Sequence, residues 1–222
     1  MLTLLDKIIS FLAPYQCLAC GIEGALLCES CRPLLPDLQP QCYRCHRTDN
    51  GNTTCRLCKR KTPLRRVWVR TTYDGFGEAL VRKLKFERAY DAARTIAQSM
   101  SELDLPRDSI LVPVPTATSR VRQRGYDQSV LIAEQLSSHT NLPCVTLLER
   151  YGQQRQTGSS RGQRQSQLSH AFAVKHKKLT GVKSIILIDD ILTTGATLEI
   201  AAAVLRQSGV KRVEAVVFAR AV

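Results

Sequence analysis

The chain of 222 residues has no apolar run long enough to span a bilayer, so no transmembrane helix is expected. An export signal is also missing. The opening "MLTLLDKIISFLAP" carries Leu4, Leu5, Ile8, Ile9 and Leu12 at helical spacing. Asp6 and Lys7 interrupt any signal-peptide core, and no small-residue cleavage site follows. This segment, residues 1–16, is read as a short helix packing on the body, and a cytoplasmic location is expected. No G-x-x-x-x-G-K-[ST] occurs anywhere, which ranks a P-loop nucleotide hydrolase low. Acids are absent from two long stretches. Between Asn50 and Tyr73 there are seven Lys or Arg, and from Arg150 to Ile188 there are eight, with no Asp or Glu in either. The net charge is +13. Such blocks often form only a solvated face, but they also suit phosphate-rich partners. With 44% hydrophobic residues a real core is expected and global disorder is not. The length accommodates one full domain and a small one.

What the chain does have is cysteine. Eight of the nine form four CxxC pairs: Cys17 and Cys20, Cys28 and Cys31, Cys42 and Cys45, Cys55 and Cys58. Two thiolates separated by two residues curl around one tetrahedral ion, because a tight knuckle points both sulfurs inward. Four knuckles therefore complete two zinc sites. A disulfide framework is the competing interpretation, and the lack of an export signal ranks it below metal. Four pairs in a row are not a redox pattern. Sequential pairing would put Cys17, Cys20, Cys28 and Cys31 on one ion and Cys42, Cys45, Cys55 and Cys58 on the other; an interleaved arrangement is the alternative. His46 is read as a bystander and Cys144 as a core residue. A segment of about 50 residues buries little apolar surface alone. Each structural zinc would contribute on the order of 10 kcal/mol of apparent folding free energy. The segment 17–62 is thus read as a double zinc ribbon in front of a second domain, 63–222.

After Pro63, apolar runs that read as strands ("RVWVRTTY", "SILVPVP", "PCVTLLE", "SIILIDD", "RVEAVVFARAV") alternate with segments that read as helices ("GEALVRKLKF", "YDAARTIAQSM", "QSVLIAEQLSS", "TLEIAAAVLRQSG"). This predicts an α/β fold with a parallel sheet covered on both faces. Ligands of such sheets bind beyond the carboxyl ends of the strands. There "IILIDDILTTGATL" places Asp189 and Asp190, followed by Thr193, Thr194, Gly195, Ala196 and Thr197 at a helix start. Paired carboxylates suit the vicinal hydroxyls of a sugar or a hydrated Mg2+. The helix start offers free N–H groups and the positive end of the dipole to an anion. Gly195 is expected to let the backbone approach that anion. The stretch reads as a cradle for a ribose 5-phosphate.

"IILIDDILTTGAT" resembles the phosphoribosyl pyrophosphate (PRPP) signature of type I phosphoribosyltransferases. With four CxxC pairs in front, nearly the whole chain resembles the ComF/GntX family, in which a phosphoribosyltransferase-like domain follows a zinc ribbon. "VPVPTATSRVRQRGYDQS" and "RQTGSSRGQRQSQLSHAF" resemble two further family segments. The resemblance implies that Asp189 and Asp190 hold the ribose hydroxyls and Mg2+, and that Thr193 to Thr197 bind the 5-phosphate. It implies that the loop Thr116 to Arg120 faces the pyrophosphate, with Arg120, Arg122 and Arg124 close by. Gln156, Thr157, Arg161 and Arg164 would lie on a closing loop, and Lys85 would reach the anion. Tyr126, Asp127, Gln167 and the pair Ser159-Ser160 depart from the family pattern, while the phosphate cradle is intact.

Two functions are expected from this. In the first, the chain binds PRPP and takes part in natural transformation, handling incoming single-stranded DNA together with DNA-uptake, helicase or recombination proteins. Lys59, Arg60, Lys61, Arg65, Arg66 and Trp68 are then the candidate nucleic-acid residues, since cations beside an aromatic suit single strands; "RVWVRTTY" also reads as a plain half-buried strand. In the second, the chain is an active transferase passing ribosyl phosphate from PRPP to an unidentified nucleobase or other nucleophile. Glu149 is a candidate base by position only.

Overall fold

The computed structural model describes residues 14–48, 51–151, 171–175 and 181–221. Arg161 and its neighbours Gln156, Thr157 and Arg164, and the apolar positions Leu4 to Leu12, lie outside the described residues. Strand β1 (Val67–Thr72) leads into helices α1 (Gly75–Phe86) and α2 (Asp91–Met100). Strand β2 (Ile110–Pro113) is followed by α3 (Thr118–Arg124) and α4 (Gln128–Thr140), and then by β3 (Leu148–Arg150) and β4 (Phe172–Val174). The chain ends with β5 (Ser184–Leu192), α5 (Ala196–Gln207) and β6 (Arg212–Arg220).

The main sheet has the order β1-β6-β5-β2, and every pair in it is parallel. Leu187 lies opposite Ala215, and Pro113 opposite Ile188. Side chains of a strand alternate between faces, and here both faces are apolar. Ile186, Ile188, Val216 and Phe218 pack with Leu80, Leu84, Ile96 and Ile132 of α1, α2 and α4. Ile185, Leu187, Ala215 and Val217 pack with Leu198, Ala201, Ala202 and Leu205 of α5. The expected strand "PCVTLLE" is divided. Cys144 makes a single parallel bridge to Leu111, while Leu148–Arg150 leaves the main sheet and pairs antiparallel with Phe172–Val174. Cys144 is only partly buried, and that burial pushes its thiol up to about 11.

The cysteine segment has no core of its own and covers the β1 edge from both sides. Leu26, Leu27 and Leu35 join the cluster of α1 and α2, whereas Tyr43 and Leu64 join the cluster of α5. Thr53 bridges Arg66, and the Val67 amide donates to the Asn52 carbonyl at 3.1 Å, so the second knuckle blunts an open edge. The first knuckle is tied down by polar contacts. The Leu26 amide donates to Asp91 Oδ2 at 3.1 Å, Arg32 to Glu102 Oε1 at 2.8 Å, and Arg70 to Asp37 Oδ1 at 2.6 Å. The expected N-terminal helix does not reach residue 16, because Gln16 forms an antiparallel bridge with Glu23.

Candidate functional site

The four-cysteine groups are sequential. The sulfurs of Cys17, Cys20, Cys28 and Cys31 lie within 4.8 Å of one another, and so do those of Cys42, Cys45, Cys55 and Cys58. The Cys20 and Cys28 sulfurs are 3.7 Å apart, and those of Cys45 and Cys55 3.6 Å. A tetrahedron with Zn–S near 2.3 Å has edges of about 3.8 Å, so both groups fit a zinc ion; a disulfide would need about 2.05 Å. Burial pushes the Cys17 thiol up, but backbone N–H groups of Cys28, Cys20 and Ala19 outweigh it and hold the thiol at about 6, ready to act as a thiolate ligand. His46, at φ +59°, belongs to neither group.

The second feature is a cavity of about 240 Å³ beyond the carboxyl ends of β2 and β5. Of the residues predicted from sequence, Asp189, Asp190, Thr193, Thr197, Thr116, Arg120 and Lys85 line it. Asp190 is buried, and its carboxylate forms an ion pair with Lys85. Lys85 therefore serves the acid as well as facing the cavity. Asp189 accepts from the Asp190 amide at 2.9 Å. Burial and the adjacent Asp190 charge push the Asp189 carboxyl well above the usual carboxylate range, despite that amide and the Lys85 ammonium. A cation or sugar hydroxyls at this pair would relieve the repulsion.

Opposite the acids the wall is basic. Arg150, missed by the sequence reading, lines the cavity with Arg120. Burial, and then the Arg120 charge, lowers the Arg150 pKa, against the opposing pull of Asp189 and Asp127. Arg150 also lies over the Phe172 ring at 5.4 Å and donates to the Pro115 carbonyl at 3.4 Å. Gln128, likewise missed, lines the cavity and accepts from Arg124 at 2.8 Å. Arg124, expected to face the pyrophosphate, stands behind Gln128 and over the Phe86 ring instead. Thr116 donates its amide to Asp127 Oδ2 at 2.8 Å and its hydroxyl to Oδ1 at 2.9 Å. Asp127, which also caps α4 through the Ser129 amide at 3.1 Å, thus fixes the loop after β2.

Thr194, Gly195 and Ala196 do not line this cavity. Gly195 has φ +80°, the left-handed region, and a Cβ there would meet Tyr43 Cε2 at 2.9 Å. A close approach that calls for glycine here is therefore that of the Cys42–Cys45 knuckle, a neighbour that the sequence pattern did not suggest. Gly195 at the N-cap offers no side chain to α5, and the Ala196 amide donates to Thr194 Oγ1 at 3.4 Å.

The candidate nucleic-acid residues divide. Lys59, Arg60, Lys61 and Arg65 are exposed, together with Arg56 and a 65% exposed Leu57. Trp68 is 4% exposed on the inner face of β1, with Arg66 over its ring at 5.1 Å, so it offers no face to a base. No described helix is long and apolar enough to cross a membrane.

Residues 126–221 match the family described as "Phosphoribosyl transferase domain". The chain is 28% identical to Competence protein ComFC of Bacillus subtilis, over 82% of this chain and 79% of that protein. It is 26% identical to Competence protein F of Haemophilus influenzae (93% and 97%), and 24% identical to Competence protein ComFC of Streptococcus pneumoniae (86% of each). The chain is thus similar to ComF competence proteins, and the part that matches a phosphoribosyl transferase domain lies behind two four-cysteine clusters.

Proposed function

We propose that the cavity binds PRPP through its ribose 5-phosphate end, and that the chain is a ComF-type protein acting on incoming single-stranded DNA in the cytoplasm. One observation carries the ligand reading: a single cavity joins a carboxylate pair, two threonine hydroxyls at the mouth of a helix and two guanidiniums. In PRPP the diol lies between two anions, the pyrophosphate on C1 and the phosphate on C5, and the cavity offers a partner to each of the three. Asp189 and Asp190 accept from the ribose hydroxyls. Thr193, Thr197 and the amides at the start of α5 hold the 5-phosphate. Arg120 and Arg150 neutralise the pyrophosphate. Asp189 and Asp190 would hold Mg2+ brought with PRPP, and the ion would supply further neutralisation of the pyrophosphate. Calorimetry with PRPP and Mg2+ tests this. Heat of binding in the wild type and its loss in Asp190→Asn are expected; no binding by the wild-type protein overturns it.

Transfer to an acceptor is the alternative reading. A pyrophosphate-release screen over nucleobases and single-stranded DNA separates the two: release with any acceptor makes the chain a transferase. The DNA role rests on the exposed Arg56, Lys59, Arg60, Lys61 and Arg65, in and just after the Cys55–Cys58 pair, a segment without an acid of its own. Its binding is expected to weaken with salt at a log–log slope of roughly −0.7 per phosphate contacted.

A further inference from the structure

We infer that Tyr43 is a positioning residue through which the second four-cysteine centre sets the phosphate-binding turn, so that metal at that centre and a phosphorylated sugar in the cavity favour one another. The proposal rests on the ligand reading above for the sugar, but the contact itself is independent of it. Tyr43 sits between two members of the second centre, Cys42 and Cys45, and is 3% exposed. Its hydroxyl donates to Glu199 Oε1 at 2.6 Å, in the first turn of α5, and meets Thr62 Oγ1 at 2.5 Å. Arg44, the other residue within the knuckle, lies 3.4 Å from the same Glu199 oxygen. The Tyr43 carbonyl accepts from Arg220 Nη2 at 2.6 Å, which anchors the knuckle to the end of β6.

The ring lies against the back of Gly195, where a Cβ would have 2.9 Å of room, and the Glu199 amide donates to the Gly195 carbonyl at 2.9 Å. Thr193 and Thr197, on either side of Gly195, face the cavity. The turn is therefore held between its proposed ligand in front and the knuckle behind. The first centre has no such contact among the described residues: its partners are β1, α1 and α2. If the knuckle fixes the turn, linkage requires the reverse, and a sugar phosphate in the cavity must slow metal loss from the second centre.

The test uses full-length, zinc-loaded protein: wild type, Tyr43→Phe and Tyr43→Ala. Amide hydrogen exchange over residues 193–198 needs no ligand. It should accelerate in Tyr43→Ala while the peptides around Cys17 to Cys31 are unchanged. Next, a chelator is added and cysteine alkylation is followed peptide by peptide, with and without PRPP and Mg2+. PRPP should slow alkylation of the second centre about fivefold, the lower end of ordinary couplings, and leave the first centre unaffected. Tyr43→Ala should abolish the slowing. Tyr43→Phe, which keeps the ring and therefore the fold, should retain part of it. Unchanged exchange in the turn, or PRPP binding that protects both centres equally or neither, overturns the proposal. If wild-type protein does not bind PRPP yet the turn loosens in Tyr43→Ala, the ligand reading falls and the strut stands. If PRPP binds the wild type and Tyr43→Ala equally and the turn does not loosen, the strut falls and the ligand reading stands.

Discussion

The two cysteine centres share ligand type and the C-x-x-C spacing within each pair, yet the fold puts them to different uses. The first lies on the face of the sheet covered by α1 and α2 and is tied there by Asp91, Glu102 and a block of leucines. The second lies on the α5 face and touches the turn at the mouth of the cavity. A CxxC knuckle therefore specifies a metal centre but not its task. The residues between the cysteines settle that: Leu18 and Ala19 in the first knuckle of one centre, Tyr43 and Arg44 in the first knuckle of the other.

The largest effect that could break this comparison is loss of a ligand. Each zinc supports a segment without its own core, on the order of 10 kcal/mol per site. Cys28→Ser and Cys55→Ser are each expected to lower the zinc content from two ions to one, by elemental analysis, and to lower the melting temperature. Only Cys55→Ser should also weaken PRPP binding. Equal weakening by both would make the two centres equivalent scaffolds and dissolve the distinction.

A second contrast lies within the acid pair. Asp190 is buried against Lys85, and breaking a buried ion pair costs about 3–5 kcal/mol because the partner charge is stranded. Asp190→Asn should therefore destabilise the fold. Asp189→Asn should do the opposite. Its carboxyl is pushed up by burial and by Asp190, so the folded state holds its proton more tightly than the unfolded chain. Stability is then lost as pH rises from the ordinary carboxylate range through the raised value. The amide removes that cost, and at pH 7 a melting temperature higher by about 2–4 °C is expected, with PRPP binding lost. A gain that persists unchanged at pH 3 would show that the effect is not electrostatic.

How far these features were legible depends on the distance over which each is built. The parallel sheet showed in the sequence because its strands are apolar on both sides, a local property. The eight ligands and the Asp189 to Thr197 stretch were likewise continuous motifs. Arg150 was legible only as the first cation of a basic block: β3 carries it into the cavity from outside the main sheet, a placement that the sequence pattern does not reveal. Arg124 was misplaced for a related reason, since one turn of helix decides whether a guanidinium meets the cavity or Gln128. Trp68 looked like a stacking platform beside cations, but the same alternation that makes β1 a strand turns its ring inward. Gly195 was read as the point where an anion comes close, and its contact with Tyr43, far off in the sequence, was not legible.

The wall opposite the acids offers a smaller and sharper test. Arg150→Met keeps much of the apolar stem against Phe172 and removes the charge, so the fold should tolerate it. Hydrogen bonds to charged groups are worth about 1.5–3 kcal/mol, so PRPP binding should weaken by about 10- to 150-fold. Ribose 5-phosphate, which lacks the pyrophosphate, should bind the variant and the wild type almost equally. If both ligands weaken alike, Arg150 shapes the cavity rather than meeting the second anion.

The smallest expected effect belongs to the exposed face of the second centre. Charge reversal at Arg60 and Arg65 touches neither the sulfurs nor the Tyr43 contact, so zinc content and PRPP binding should not change. Single-stranded DNA affinity should fall, and the log–log salt slope should flatten by roughly 0.7 for every phosphate that the variant no longer neutralises. The same second centre would then face two ligands, with Tyr43 directed inward to the turn and the cations directed outward to a strand. An unchanged salt slope would leave the basic surface as solvated cover for the β1 edge, and the inward contact as the only trait that separates this centre from its twin.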